Sequence, residues 1–240
     1  MIPKDHPRYL SLMIRERLVR GYESGIVCTQ GLIAHGRGEA FDYLIGEKTT
    51  KAAMYATRAA VATLLVAKYP IISVNGNTSA LVPDEIVLLS ESINAPIEVN
   101  LFHRTEERVK KIIAHLKAHG ATKILGKKVD ARISGIEHER GKVDKEGIYR
   151  ADTVFVPLED GDRCEALVSM GKTVIVIDLN PLSRTSRTAT ITVVDNVVRA
   201  IPNMVKLSEE LRYMNKRELR EIIDTFDNEP NLQGVIKHDN

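Results

Sequence analysis

The chain has 240 residues, 43% hydrophobic and 28% charged, a size that suits one α/β domain or two small ones with a core that needs no staples. Its 34 Lys+Arg nearly cancel 32 Asp+Glu; a net charge of +2 and an aromatic content of 5% argue against a nucleic-acid-binding surface, so any anion site must be local. Cys28 and Cys164 share no C-x-x-C spacing, which argues against a disulfide framework or zinc site and favours a reducing, cytoplasmic setting; with no apolar leader core and no run of about 20 apolar residues, neither secretion nor a membrane span is expected.

From Pro7, a favourable first helical residue, apolar side chains repeat at helical spacing through YLSLMIRERLVRGYESG until glycine stops the pattern. The polar face carries Arg15, Arg17 and Arg20, with Glu16 and Glu23 as ready partners. TQGLIAHGRGEA reads as a glycine-broken connection to a short helix near FDYLIG, and TKAAMYATRAAVATLLVAKYP as an alanine-rich helix, so the region of about 1–69 is helical. PIISV then starts a strand, turn, helix order, with NGNT as the turn and a helix through PDEIVLLSESI. The order recurs as PIEVNLF with HRTEERVKKIIAHLKAHG, as ADTVFVP with DGDRCEALVSMG, and as KTVIVID. Nearly continuous apolar strands alternating with helices predict an α/β fold, a parallel sheet with helices on both faces, in a single domain spanning 1–240. The charged, glycine-broken stretch ATKILGKKVDARISGIEHERGKVDKEGIYR reads as a surface excursion. TATITVV supplies a last strand before a helix over about 195–214, followed by NKRELREIIDTFDN and a polar tail expected to lack order.

Ligands of open parallel sheets gather at the carboxyl edge of the strands, where four segments are expected: Asn75 to Thr78, Asn100 to Arg104, Pro157 to Gly161, and Asp178 onward. Each also reads as an ordinary turn. No P-loop is present: GATKILGKK has five residues between its glycines and no hydroxyl after the lysine, and MGKTVIVID has Ala166 in the first glycine position and continues into a strand. VNGNTS lacks dinucleotide spacing, although Gly76 and the amides after it suit an anion. Asp178 suits ribose hydroxyls or magnesium, Arg184 and Arg187 offer planar forks for phosphate, and Thr185, Ser186 and Thr188 add neutral donors; the same stretch reads equally as a solvated loop with an Asx turn at Asn180-Pro181. Asn196 suits base contact or, preferably, capping of the next helix. Gly36 and Gly38 flank Arg37, a flexible setting for one guanidinium near a polyphosphate. His35 and His103 are proton carriers or satisfied polar side chains, and His115, His119, His138 and His238 make no metal-ligand spacing.

Taken in order, IPKDHPRYLSLMIRERLVRGYESGIVCTQGLIAHGRGEAFDYLIGEKT, NGNTSALVP, NLFHRT and DLNPLSRTSRTATITVVDNVVRAIPNM resemble the archaeal phosphopantothenate synthetase family, 4-phosphopantoate:β-alanine ligases, over nearly the whole chain. The resemblance implies a Rossmann-like homodimer that uses ATP, with Mg2+, to join 4-phosphopantoate to β-alanine in coenzyme A biosynthesis, releasing AMP and pyrophosphate. It implies ATP contacts at Arg17, Arg37, Asp178, Leu179, Asn180, Arg184, Thr185, Asn196 and Val197. The phosphate of phosphopantoate demands a second anion pocket, for which Asn75, Gly76, Asn77, Thr78, His103 and Arg104 are candidates; capping by Asn77 or Thr78 and an Arg104 pair with Glu107 are the plain alternatives. The main rival is a nicotinamide-dependent oxidoreductase, which favours the missing G-x-G-x-x-G turn.

Overall fold

The computed structural model describes residues 3–6 and 8–237; Pro7 and His238 lie outside them. Three helices lead: α1 (Tyr9–Glu23), α2 (Thr29–Ile45) and α3 (Lys51–Val66). The repeated units follow as β1 (Pro70–Val74), α4 (Gly76–Leu81), α5 (Pro83–Ser92), β2 (Ile97–Val99), α6 (Glu106–Ala118) and β3 (Ile124–Leu125). A small antiparallel pair, β4 (Ala131–Arg132) with β5 (Lys142–Val143), precedes β6 (Thr153–Pro157), α7 (Gly161–Ser169), β7 (Thr173–Ile177), the short α8 (Arg184–Thr188) and β8 (Ile191–Val193). Helices α9 (Val197–Leu211), α10 (Lys216–Asp224) and α11 (Asn228–Ile236) close the chain. The main sheet is six-stranded in the order β3-β2-β1-β6-β7-β8, and every pairing in it is parallel.

The period-two pattern of the central strands divides the core. Ile72 and Val74 of β1, Phe155 of β6, and Ile175 and Ile177 of β7 face α3, α5 and α9. Their neighbours Ile71, Val154, Val156, Val174 and Val176 face α7. Full burial of each such side chain contributes about 1.5–3 kcal/mol, which is why these strands read as unbroken apolar runs. Helix α3 buries Ala53, Ala56, Ala59, Ala60 and Ala62, small side chains that allow close approach by α9 and α10.

Three expectations need correction. TQGLIAHGRGEA is no connection, because α2 runs unbroken from Thr29 to Ile45 with Gly31, Gly36 and Gly38 inside it. One reason for a glycine there is steric: a Cβ at Gly31 would stand 2.4 Å from Asn77 Oδ1. The excursion after α6 supplies edge strand β3 and buries Ile133, Ile136, Val143 and Ile148 in the second core half. It is pinned by Glu98, which accepts from the amides of Asp144 (3.0 Å) and Ile148 (2.7 Å). The polar tail is helical through Ile236: Asp227 caps α11, Leu232 and Val235 are buried, and Asn228 accepts from the Thr192 amide of edge strand β8.

Candidate active site

The sheet order reverses between β1 and β6, and the chain leaves these neighbours in opposite directions. A crevice therefore forms beyond their carboxyl ends. The cleft there has a volume of about 810 Å3, within the range of small-molecule sites. Asn75 fastens its base: Oδ1 accepts the Thr78 amide and caps α4, while Nδ2 donates to the Leu158 carbonyl at 3.2 Å. Leu158 itself sits at φ 66°, a left-handed conformation that costs a non-glycine residue roughly 1–2 kcal/mol. That turn carries Glu159, whose side chain is fully buried, beneath the cleft floor.

One end of the cleft is built by the loop after β7. Asp178 is engaged within that loop: its Oδ2 accepts from Ser183 Oγ (2.5 Å) and its Oδ1 from the Asn180 amide (2.9 Å). Asn180 Oδ1 in turn accepts the Leu182 amide, the Asx turn over Pro181 that the sequence suggests. Burial raises the Asp178 pKa, with the bonds from Ser183 and Asn180 opposing. The carboxylate thus organises the loop, and the faces left for a ligand are those of Leu179, Asn180, Arg184 and Thr185. Arg184 is largely exposed and pairs only loosely with Glu165, at 3.5 Å. It lies across Gly161, where a Cβ would stand 2.4 Å from Arg184 Nε.

Arg37, also exposed, reaches the same space from α2, and Asn196 and Val197 from the start of α9. Asn196 is oriented by its own bonds, since Oδ1 caps α9 and one hydrogen of Nδ2 is donated to Asp42, leaving the second for a ligand. Arg17 stands apart: exposed on α1, it donates to the Leu81 carbonyl at 3.1 Å and does not line the cleft. Its neighbour Arg15 makes a bidentate pair with Glu39 of α2 instead of Glu16 or Glu23.

At the other end, Asn75, Gly76, Asn77 and His103 line the cleft, whereas Thr78 and Arg104 do not. Thr78 is buried against Asn75 and the Pro157 carbonyl. Arg104 is turned away to the Gly126 carbonyl (2.9 Å) and pairs with Glu106, two residues on, rather than Glu107. The cations found here are two that sequence reasoning missed. Arg108, in the first turn of α6, donates to the carbonyls of Ile26 and His103 and lines the cleft beside Cys28. Arg140, from the excursion, is buried: it donates to Asp160 at 2.6 Å and Asn100 at 3.2 Å, and lies 3.3 Å from Glu159. Burial works against its charge, but Glu159 and Asp160 outweigh it and hold the pKa above the ordinary arginine value. Glu159 also pairs with Arg163, which is fully buried and reaches Ser73. The one signal for Arg108 is its place three residues after the capping Thr105; nothing local marks Arg140.

Among the described residues no group of three or more His, Cys, Asp or Glu is arranged to hold a metal ion, both cysteines are free, and no helix is long and apolar enough to cross a membrane.

Comparison with known proteins shows the family. The profile of the family described as phosphopantothenate/pantothenate synthetase matches residues 52–239. A Methanosarcina mazei protein named 4-phosphopantoate--beta-alanine ligase is 59% identical over 98% of the chain and 92% of its own length. Proteins of the same name from Thermococcus kodakarensis (56% identical, 99% of the chain and 91% of theirs) and Methanospirillum hungatei (54%, 88% and 86%) are similar throughout.

Proposed function

The chain belongs to the phosphopantothenate/pantothenate synthetase family, and from that premise we propose that it is an ATP-dependent ligase joining 4-phosphopantoate to β-alanine, with release of AMP and pyrophosphate. One observation carries the reading: a single cleft at the sheet's reversal point has unsatisfied arginines at one end and a separate polar, cationic end at the other. That is what two phosphorylated substrates require of one site.

The chemistry then follows. A carboxylate oxygen of phosphopantoate attacks the α-phosphorus of ATP, the bond to the β-phosphate oxygen breaks, and pyrophosphate leaves with the electron pair. Charge on the departing group is met by Arg37 and Arg184. The neutral amine of β-alanine then attacks the acyl carbon, AMP departs, and the nitrogen's extra proton passes to water. Holding both reactants in line supplies up to about 7 to 11 kcal/mol of the barrier reduction, and no covalent enzyme intermediate is needed.

The nucleotide is assigned to Arg37, Leu179, Asn180, Arg184, Thr185, Asn196 and Val197, with Asp178 shaping the loop. The phosphate of phosphopantoate is assigned to Asn75, Gly76, Asn77 and His103 with Arg108 in the place first given to Arg104. The carboxylates of the cleft build no metal cage, since Asp178 is engaged by Ser183, Asp160 by Arg140 and Asp162 by His138. Magnesium is therefore expected to arrive on the triphosphate rather than on a site of the chain.

A cytoplasmic homodimer completes the reading. Leu10, Ile33 and Leu44, at 55%, 69% and 72% exposure, leave an apolar face on α1 and α2 that suits a second copy, and Arg17 would meet a triphosphate only from such a copy. The oxidoreductase reading has no comparable support. The deciding experiment supplies purified protein with ATP, magnesium, 4-phosphopantoate and β-alanine and identifies the nucleotide formed. AMP with pyrophosphate supports the proposal, ADP overturns the adenylate route, and no consumption beside an active control overturns the ligase.

A further inference from the structure

Helix α2 forms one wall of the cleft through His35, Arg37, Gly38 and Phe41, yet of its 17 residues only Asp42 is buried. A helix held by packing buries an apolar stripe; on this one Leu32 and Ile45 are only partly covered against the core, and the one buried side chain is a carboxylate. Oδ2 of Asp42 accepts from Asn196 Nδ2 at 2.7 Å, and Oδ1 accepts from Arg199 Nη2 at 2.5 Å. Arg199 also donates through Nε to Asp195 at 2.8 Å, and Asp195 in turn accepts from Thr49 at 2.6 Å, just beyond the helix end at Gly46. The carboxyl end of α2 is therefore joined by ionic hydrogen bonds to the Asp195–Asn196 corner, which opens α9 and carries cleft residues Asn196 and Val197. The opposite end has its own tie, from Asn77 Nδ2 to the Gly31 carbonyl at 2.8 Å.

We propose that Asp42 is a positioning residue of the nucleotide half of the site: with Arg199 it locks α2, and thereby the Arg37 guanidinium and the Phe41 ring, at a fixed distance from the Asn196–Val197 wall. The link follows from spacing on the helix. Asp42 lies one residue from Phe41 and five from Arg37, within one and a half turns, so a loosened carboxyl end of α2 moves both side chains while the Asn77 tie keeps the other end in place. Fixed geometry matters for a pyrophosphate-releasing step, because a displaced guanidinium no longer meets the charge as it develops. The nucleotide assignment of this end rests on the proposed function; the anchoring of α2 does not.

The test uses the full chain carrying Asp42→Asn, which is nearly isosteric, keeps an acceptor for Asn196 and removes the one ionic partner of Arg199 that lies on α2, leaving Asp195. Two readouts are taken. Hydrogen–deuterium exchange of the nucleotide-free protein is expected to rise at least tenfold for amides in the second half of α2 and to stay unchanged in α3 and α9; unchanged exchange in α2 overturns the anchor. Steady-state kinetics are expected to show a KM for ATP raised about tenfold with the KM for β-alanine within twofold of wild type. An equal rise in both constants, or faster exchange with an unaltered KM for ATP, overturns the positioning role, and the latter result also counts against placing the nucleotide beside α2. Arg199→Lys, which keeps the charge but not the fork that spans Asp42 and Asp195, is expected to show the same split more weakly, and serves as the second variant where Asp42→Asn folds poorly.

Discussion

The two ends of the cleft use arginine in opposite ways. At the end lined by the loop after β7, Arg37 and Arg184 are exposed, and the nearest carboxylate to Arg184 is a loose 3.5 Å contact. At the other end, Arg140 is committed to Asn100, Asp160 and the buried Glu159, and in the wall behind it Arg104 and Arg163 are committed to the Gly126 carbonyl and to Ser73 and Glu159; Arg108, held at two carbonyls through Nε and Nη1, keeps Nη2 for the cleft. An uncommitted guanidinium keeps its hydrogen bonds for a ligand. A committed one fixes the shape of the wall, and its loss leaves buried carboxylates without partners.

This contrast can be broken by substitution, and the largest effect is expected where commitment is deepest. Arg140→Ala should cost ~3–5 kcal/mol of stability in chemical denaturation, because Glu159 loses one of its two cations and Asp160 and Asn100 lose their donor. The buried ground behind that end should respond to pH through Glu98, whose carboxyl is pushed up to about 7 by burial against the opposing amides of Ile148 and Asp144. From about 4.5 to 7 the unfolded chain has released this proton while the folded chain still holds it, so stability falls as pH rises, by on the order of 3 kcal/mol. Urea midpoints at pH 5 and pH 8 should separate more for the wild type than for Glu98→Gln.

At the uncommitted end, folding and binding should part company. Arg184→Ala is expected to weaken ATP binding by calorimetry about tenfold to a hundredfold, the range of one or two charged hydrogen bonds, with an unchanged melting temperature. Gly161→Ala should mimic it in weaker form by pushing the Arg184 side chain off its seat. The smallest effect belongs to Gly36, where a Cβ meets nothing within 4 Å: Gly36→Ala should stabilise by ~0.5–1 kcal/mol, read as a melting temperature higher by about 1–4 °C.

Strand positions, helix spacing and the Asx turn after Asp178 were legible because they depend on near neighbours in the chain. The apolar runs PIISV, TVFVP and KTVIVID each became a central strand, and all four edge segments lie where β1, β2, β6 and β7 end. Failures came where distant partners decide. The glycines of α2 look like breaks until Asn77 is seen against Gly31, and Arg104 looks like a phosphate ligand until the Gly126 carbonyl is seen to take it. Arg140 is invisible in sequence because its partners, Asn100 and Glu159, belong to two different strand ends. The tail from Glu229 reads as too polar to fold, yet it buries Leu232 and Val235, and Asn228 just before it ties it to β8 by accepting from Thr192 and donating to the Ser186 and Ala189 carbonyls.

The pairing of β1 with β6 also sets a timetable for folding. Pro70 meets Thr153 across the middle of the sheet, and everything between them must be synthesised before the two can join. During translation the first strand waits with one edge bare while β2 closes the other, and the long loop must be ordered before its closure is rewarded. A chain truncated before residue 153 should therefore be sticky and protease-sensitive, whereas one that extends past 157 can close the seam on which every later strand is laid.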